Sequence, residues 1–349
     1  MAPHPQPQTF QVDFAASVDD SLLAQLALEK GSRKLIGHEE RSEVLRRLDG
    51  ESYACNAGGS LSNTLVALSR LGAASGAPLP VGLAGSVGGD ALGDFYRAKM
   101  RKAGVAFVSE PQADGTTGTV IVLTTPDAQR TMLSFLGTSA EVRCDAALAA
   151  AAGSAQLLVV EGYLLEQADT VAAIAQAVAT SRGAGALVAL TCADVGVVRA
   201  HASSFRAVLQ SGVDVLFANA AEAAELAGVA DAAAAAQALA ATVAMAVVTD
   251  GSRGAYLATA ACGVTHVPAH WAASAPVDTC GAGDAYAAGV LYSLLRGVSL
   301  QQSGAFGARV ASAVISRHGA RLCEEDALSL AAVFELTTQH KSPPFGRAP

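Results

Sequence analysis

The sequence predicts an α/β protein of three layers, α/β/α, with a mostly parallel central sheet and a small β lid. Three features carry that expectation. Apolar runs at 157–160, 186–190, 213–217 (broken only by Asp214) and 244–248 each lead into a helical stretch, the pattern of parallel strands buried on both faces. Two β-forming runs, 119–124 and 131–136, flank Pro126-Asp127-Ala128 and read as a hairpin. Gly-rich turns open helices at Gly58-Gly59 and at Gly281-Ala282-Gly283.

Composition narrows the function classes. The chain has 349 residues, 51% hydrophobic and 15% charged, which describes a packed globular protein with a large core. Net charge is -8 with no basic block, so neither a nucleic-acid backbone nor an anionic membrane is an expected partner. Six cysteines without a C-x-x-C pair exclude a zinc knuckle or redox dithiol and read as buried thiols of a reducing, intracellular compartment. The seven histidines read as surface or core residues and not as metal ligands. Pro3, Pro5 and Pro7 interrupt any secretory signal helix. The best membrane-span candidate, 232–248, is Ala-rich and broken by Gln237 and Thr242, so it reads as helix then strand.

Taken in order, 1–11 reads as a ragged tail and 22–28 and 39–48 as amphipathic helices. A helix runs from Gly58-Gly59 to about Leu71, and 81–85 is a buried strand. Asp90 starts the next helix. The regular strand–helix alternation occupies the chain from about 150, with polar residues (Glu161, Thr191, Asn219, Thr249) just after the strands, where ligands of such sheets bind. Helices at 304–318 and 325–336 close the chain before a Pro-containing tail from Gln339.

The stretch Asp278-Thr279-Cys280-Gly281-Ala282-Gly283-Asp284 carries the most chemistry. Amides at a helix start attract negative charge, and the helix dipole adds to this. Asp284, in the first turn, is placed to accept a proton from an attacking hydroxyl. Taken alone, G-A-G-D is also an ordinary turn with a helix-start Asp. Cys280 is assigned packing and not nucleophilic work. No G-x-x-x-x-G-K-[ST] occurs, and Tyr286 breaks a G-x-G-x-x-G reading, which excludes a P-loop kinase and disfavours a dehydrogenase.

The full string D-T-C-G-A-G-D closely resembles the D-T-x-G-A-G-D signature of the PfkB, or ribokinase-like, family of carbohydrate and nucleoside kinases. Three further elements follow the family's order. They are Asp13 in V-D-F-A-A-S-V-D-D, Gly58-Gly59 with Asn63 (G-G-x-x-x-N), and Asn219 with Glu222 (N-x-x-E), and Thr249-Asp250-Gly251-Ser252-Arg253-Gly254 is similar to its T-x-G-x-x-G loop. The resemblance implies a ribokinase-like fold and one kinase domain over 12–336, with lid strands from about 12–50 and 115–137. It implies ATP and Mg2+ as cofactors. Asp284 would be the base and Gly281, Ala282 and Gly283 the anion hole. Asp13, Gly58, Gly59, Asn63 and Glu161 would bind a sugar or nucleoside. Asn219, Thr249, Gly251 and Gly254 would line the nucleotide, and Glu222 would hold the metal through water. A capping box accounts equally for Asn219 and Glu222, and a hairpin turn for 249–254.

The family places a glycine-containing strand before its first Asp, whereas 1–11 here is polar and Pro-rich, so either the sequence is truncated or the sheet lacks part of a strand. Long stretches look most like the plastid PfkB-type proteins of plants and algae, which implies a chloroplast stroma as well as a cytoplasmic reading, although 1–20 is unlike a transit peptide. The alternative is a PfkB-like scaffold in a complex, without catalysis. A homodimer through the lid is left open, as is the identity of the sugar or nucleoside.

Overall fold

The structure is a computed structural model that describes residues 10–338 except 49–52, 128, 140 and 272–274. Its strands are β1 (Val12–Ser17), β2 (Arg33–Leu35), β3 (Tyr53–Ala57), β4 (Val81–Leu83), β5 (Val105–Phe107), β6 (Thr119–Thr124), β7 (Arg130–Phe135), β8 (Leu157–Glu161), β9 (Leu187–Thr191), β10 (Val215–Asn219), β11 (Met245–Thr249), β12 (Ala255–Thr259) and β13 (Gly263–Val267).

The main sheet has the order β13-β12-β11-β10-β9-β8. Strands β8 to β11 are parallel, and β12 and β13 return antiparallel. The first four residues of β10 and of β11 are all buried, because helices cover both faces of the sheet. These strands reach one or two residues beyond the sequence expectation. Glu161, Thr191, Asn219 and Thr249 are therefore the last strand residues instead of the first residues after them. Backbone pairing explains the extension, since Glu161 stands opposite Thr191 and Asn219 opposite Thr249.

The lid is a second sheet, β2-β7-β6-β1-β3, in which β6 and β7 form the expected antiparallel hairpin. It draws on 53–57 as well as the stretches expected. Asp13 lies inside β1, opposite Asn56 of β3, and not after a strand as the resemblance implied. The His38–Arg47 helix is tied to this sheet by Arg41, whose Nε donates to Thr119 Oγ1 at 3.0 Å.

β4 and β5 form a separate parallel pair. Between β4 and β8 lies a cavity of about 750 Å3, walled by Val81, Leu83, Leu158, Val160, Leu65 and Ile174. Among the described residues β4 is paired only with β5, and β8 only with β9. The sheet is thus interrupted between β4 and β8.

Of the expected tails, 1–9 and 339–349 lie outside the described residues, but Phe10 and Gln11 are buried and belong to the fold. The stretch 232–248 forms the Ala232–Leu239 helix and then β11. Among the described residues no helix is long and apolar enough to cross a membrane. The cysteines correct an expectation. Only Cys192 is buried, while Cys262 and Cys280 are exposed.

Candidate active site

The Ala282–Leu295 helix begins at Gly281, whose φ of 76° is left-handed. A side chain there would be strained and would also run into the carbonyl of Ala320. Gly283 differs: a Cβ on it meets nothing within 4 Å. The turn thus requires glycine at 281 alone, and the expectation that both are needed for the backbone is corrected. The amides are also less uniform than the motif suggested. Ala282 N reaches back to Thr279 O at 3.3 Å, whereas those of Gly281 and Gly283 have no protein partner among the described residues. Asp278 braces the turn by accepting from Cys280 N at 3.0 Å and Gly319 N at 3.2 Å. Burial opposes its charge, yet these bonds, with Arg130 of the lid nearby, hold its carboxyl below the usual range.

Asp284 is the third residue of this helix, and its partners come from the other end of the sequence. Ser60 Oγ donates to Oδ1 and Asn63 Nδ2 donates to Oδ2 at 2.9 Å. Both donors sit in the first turn of the Ser60–Ala74 helix, which starts at Gly59 with a φ of 106°. Leu61, Leu65, Leu68 and Leu71 are the buried face that holds this helix in place. Burial pushes the Asp284 carboxyl up to about 6, against the two hydrogen bonds that favour its charged form.

Asp13 stands against the same Gly-Gly turn, since a Cβ on Gly58 would occupy the space of its carboxylate. Burial pushes Asp13 up to about 7, opposed by the charge of Arg321. Glu161 has no exposed surface, and its Oε1 accepts Leu61 N at 3.3 Å. Its Oε2 has no protein partner among the described residues, and burial first, then the Asp284 charge, hold it well above the usual range. Glu161 therefore stands behind Asp284, where a neutral carboxyl is favoured, and does not front the open crevice.

On the other side of the turn lies a cavity of about 320 Å3. Thr249, Gly251 and Gly254 wall it, facing Thr279, Ala282 and Gly283, with Trp271 at the rim and Ala308 and Ala311 below. The T-x-G-x-x-G loop is thus both a β11–β12 connection and a wall of this cavity.

Asn219 and Glu222 are not part of that wall. They form a capping box, with Glu222 N donating to Asn219 Oδ1 at 3.0 Å, Asn219 N donating to Glu222 Oε2 at 2.8 Å and Asn219 Nδ2 donating to Oε1 at 2.7 Å. Burial pushes Glu222 up to about 7 and the Asp194 charge adds to it. Burial and Asp194 likewise push Glu166 up to about 7. Among the described residues no three candidate ligands stand close enough to hold a metal directly.

Sequence reasoning missed Ser60, Arg321 and Trp271. Ser60 lies inside a stretch already singled out, beside Asn63, and its hydroxyl was the available signal. Arg321 and Trp271 lie outside every motif, and only the tertiary fold brings them in.

The start of the Ala282–Leu295 helix thus has the cavity on one side and the buried Asp284 carboxylate, held by Ser60 and Asn63, on the other. The pfkB family carbohydrate kinase profile matches residues 32–327, and the chain belongs to that family, whose members use ATP. No curated protein sequence matches the chain. Among solved structures, adenosine kinase from Sinorhizobium meliloti is similar at 29% identity and a TM-score of 0.79, over 95% of this chain and 98% of that one. A probable sugar kinase from Rhizobium etli CFN 42 is similar at 28% identity and a TM-score of 0.79, over 94% and 97%. Adenosine kinase from Trypanosoma brucei brucei, at 22% identity and a TM-score of 0.77 over 91% and 100%, shares the fold.

Proposed function

We propose that the chain, acting as one kinase unit over 12–336, transfers the γ-phosphoryl of ATP to a hydroxyl of a sugar, sugar derivative or nucleoside, with Asp284 as the base. The observation that carries this reading is the double setting of Asp284. Its carboxylate is held by Ser60 and Asn63 of the Gly-Gly element, and its own helix turn faces the 320 Å3 cavity.

Asp284 accepts the proton of the attacking hydroxyl as its oxygen bonds to the γ-phosphorus and the bond from that phosphorus to the bridging oxygen breaks, so that ADP leaves. The Gly281 and Gly283 amides stabilise the charge on the transferring group, and Ala282 N joins them once its long bond to Thr279 is released. Asp13, Gly58, Gly59 and Asn63 orient the acceptor, and Glu161 supports them from behind through Leu61. Thr249, Gly251 and Gly254 lie along the nucleotide, with Asn219 at the neighbouring strand end.

Glu222 would hold Mg2+ through water, near Asp194, whose charge adds to the burial that raises Glu222 and Glu166; the ion would neutralise phosphate charge. Both Glu222 oxygens serve its own helix cap, so the contact runs through water. The two relatives near 29% identity carry nucleoside and sugar kinase names, and both acceptor classes stand. The alternative, a non-catalytic scaffold, has no chemical need for the Asp284 setting.

The test is ADP release with Mg-ATP over a panel of sugars and nucleosides. Trp271, the only tryptophan of the chain, lies at the cavity rim and reports ATP binding by its fluorescence. One responding acceptor establishes the kinase and its class. A folded protein whose Trp271 emission ignores ATP overturns it in favour of the scaffold.

A further inference from the structure

The loop between the Leu300–Ile315 and Glu324–Thr337 helices carries no motif, yet three successive residues of it touch both halves of the site. Gly319 N donates to Asp278 Oδ2, and Ala320 lies against Gly281. Arg321 then crosses to the other half. Its Nη2 donates to the carbonyl of Ala57, at the residue before Gly58, and its Nε donates to Asn63 Oδ1 at 3.3 Å. The same Nη2 lies 3.6 Å from Met100 Sδ.

These contacts decide which way the Asn63 amide points. With Oδ1 facing a guanidinium, which only donates, the amide nitrogen must face Asp284 Oδ2, which only accepts when ionised. The flipped amide would set donor against donor at Arg321 and acceptor against acceptor at Asp284. An uncharged or shorter residue at 321 leaves Asp284 alone to make that choice. We propose that Arg321 is a positioning residue, which fixes the Asn63 amide and the Gly58-Gly59 turn and so joins the acceptor site to the base.

This rests on the reading of Asp284 as the base. Two pKa directions agree with it: the Asn63 bond lowers Asp284, and the Arg321 charge lowers Asp13. The other groups facing these residues are Tyr96 and Arg70 around Arg321, and Glu161, Ser60 and Cys280 around Asp284.

The experiment compares Arg321→Ala, Asn63→Ala and the double variant with the native chain, in kcat/KM across pH with the acceptor that responds best. Arg321→Ala is expected to lose about 100-fold in kcat/KM, as a small misplacement of reacting groups does. The acid limb of its pH profile should move to higher pH, and added guanidinium should restore part of the rate. The double variant should lose little more than the worse single one, because both break one chain of contacts. Trp271 emission should respond to ATP as in the native chain.

Native kcat/KM in Arg321→Ala overturns the proposal. So does a loss with an unmoved acid limb, no guanidinium rescue and additive losses in the double variant, which describes a merely structural arginine. If Arg321→Ala does not fold, Arg321→Lys, which keeps the charge without the fork, is read by the same assays and should show the loss with a smaller limb shift. The base reading fails separately, through an active Asp284→Asn.

Discussion

Asp284 and Glu222 occupy the same place in two helices. Each is the third residue after the N-cap, at the carboxyl end of the sheet, and each carboxyl is pushed upward mainly by burial. What separates them is the cap. Asn219 takes both oxygens of Glu222 into a capping box, so that carboxylate is turned on its own backbone. Gly281 has no side chain to offer and a left-handed φ, which leaves Asp284 for Ser60 and Asn63, more than 200 residues away in sequence. An acidic residue at a helix start becomes available for chemistry when its own N-cap does not use it.

The comparison breaks most sharply at Asp284. Asp284→Asn keeps the shape and should cut turnover by about 100- to 10,000-fold, the usual worth of a general base, as measured by ADP release. It should also raise the Tm at pH 7. The folded state holds the Asp284 proton up to about pH 6, against 3.8 for the ordinary value, so the stability from the protonated form is full below 3.8 and lost as pH rises through 6. The gain in Tm should accordingly vanish near pH 4.

Gly281→Ala comes next. A non-glycine residue in the left-handed region costs about 1–3 kcal/mol, and here it also meets Ala320, so both the Tm and turnover should fall. Gly283→Val, with open space at its Cβ, should keep the Tm near native and lose activity only where the valine intrudes on the cavity.

In the native chain, kcat/KM should decline about tenfold per pH unit below about 6 as Asp284 takes up its proton. A limb well below pH 5 would show that the base is a less buried group. Glu222→Gln sharpens the other side, since glutamine also completes a capping box. The Tm should hold, while the Mg2+ concentration for half-maximal rate rises by about tenfold, the low end for groups that act on a metal through an intermediary. No change in Mg2+ dependence would leave Glu222 a cap and nothing more. The smallest effect belongs to Cys280→Ser. Cys280 is exposed, not packed, and the change should stay within about 0.5 kcal/mol.

Much of this was legible in the sequence, and what was hidden has a common cause. The apolar runs placed β8 to β11 because burial on both faces leaves no room for polar alternation. Asp284, Asn63 and the two Gly turns were readable because each is local: a turn that needs glycine, a helix that starts there. The strand ends were misplaced by one or two residues, since backbone pairing continues past the last apolar side chain, as at Glu161 and Asn219. Glu161 itself was read as facing the acceptor, but nothing in its neighbours told that Leu61 would close over it. Arg321 had no local signal, for its meaning comes wholly from Asn63 and Ala57, which the chain reaches only through its tertiary fold.

The interruption between β4 and β8 governs how the molecule answers solvent over time. A parallel strand inside a continuous sheet shields its amides on both edges, but β4 and β8 are each paired on one edge and face a cavity on the other. Hydrogen–deuterium exchange should therefore be faster at Val81–Leu83 and Leu157–Glu161, which are also less buried, than at Val215–Asn219. The slowest protons should lie in β10, flanked by β9 and β11. The rigid centre of this protein is then displaced toward β10 and β11, and Glu161, which ends β8, rests on the more yielding half.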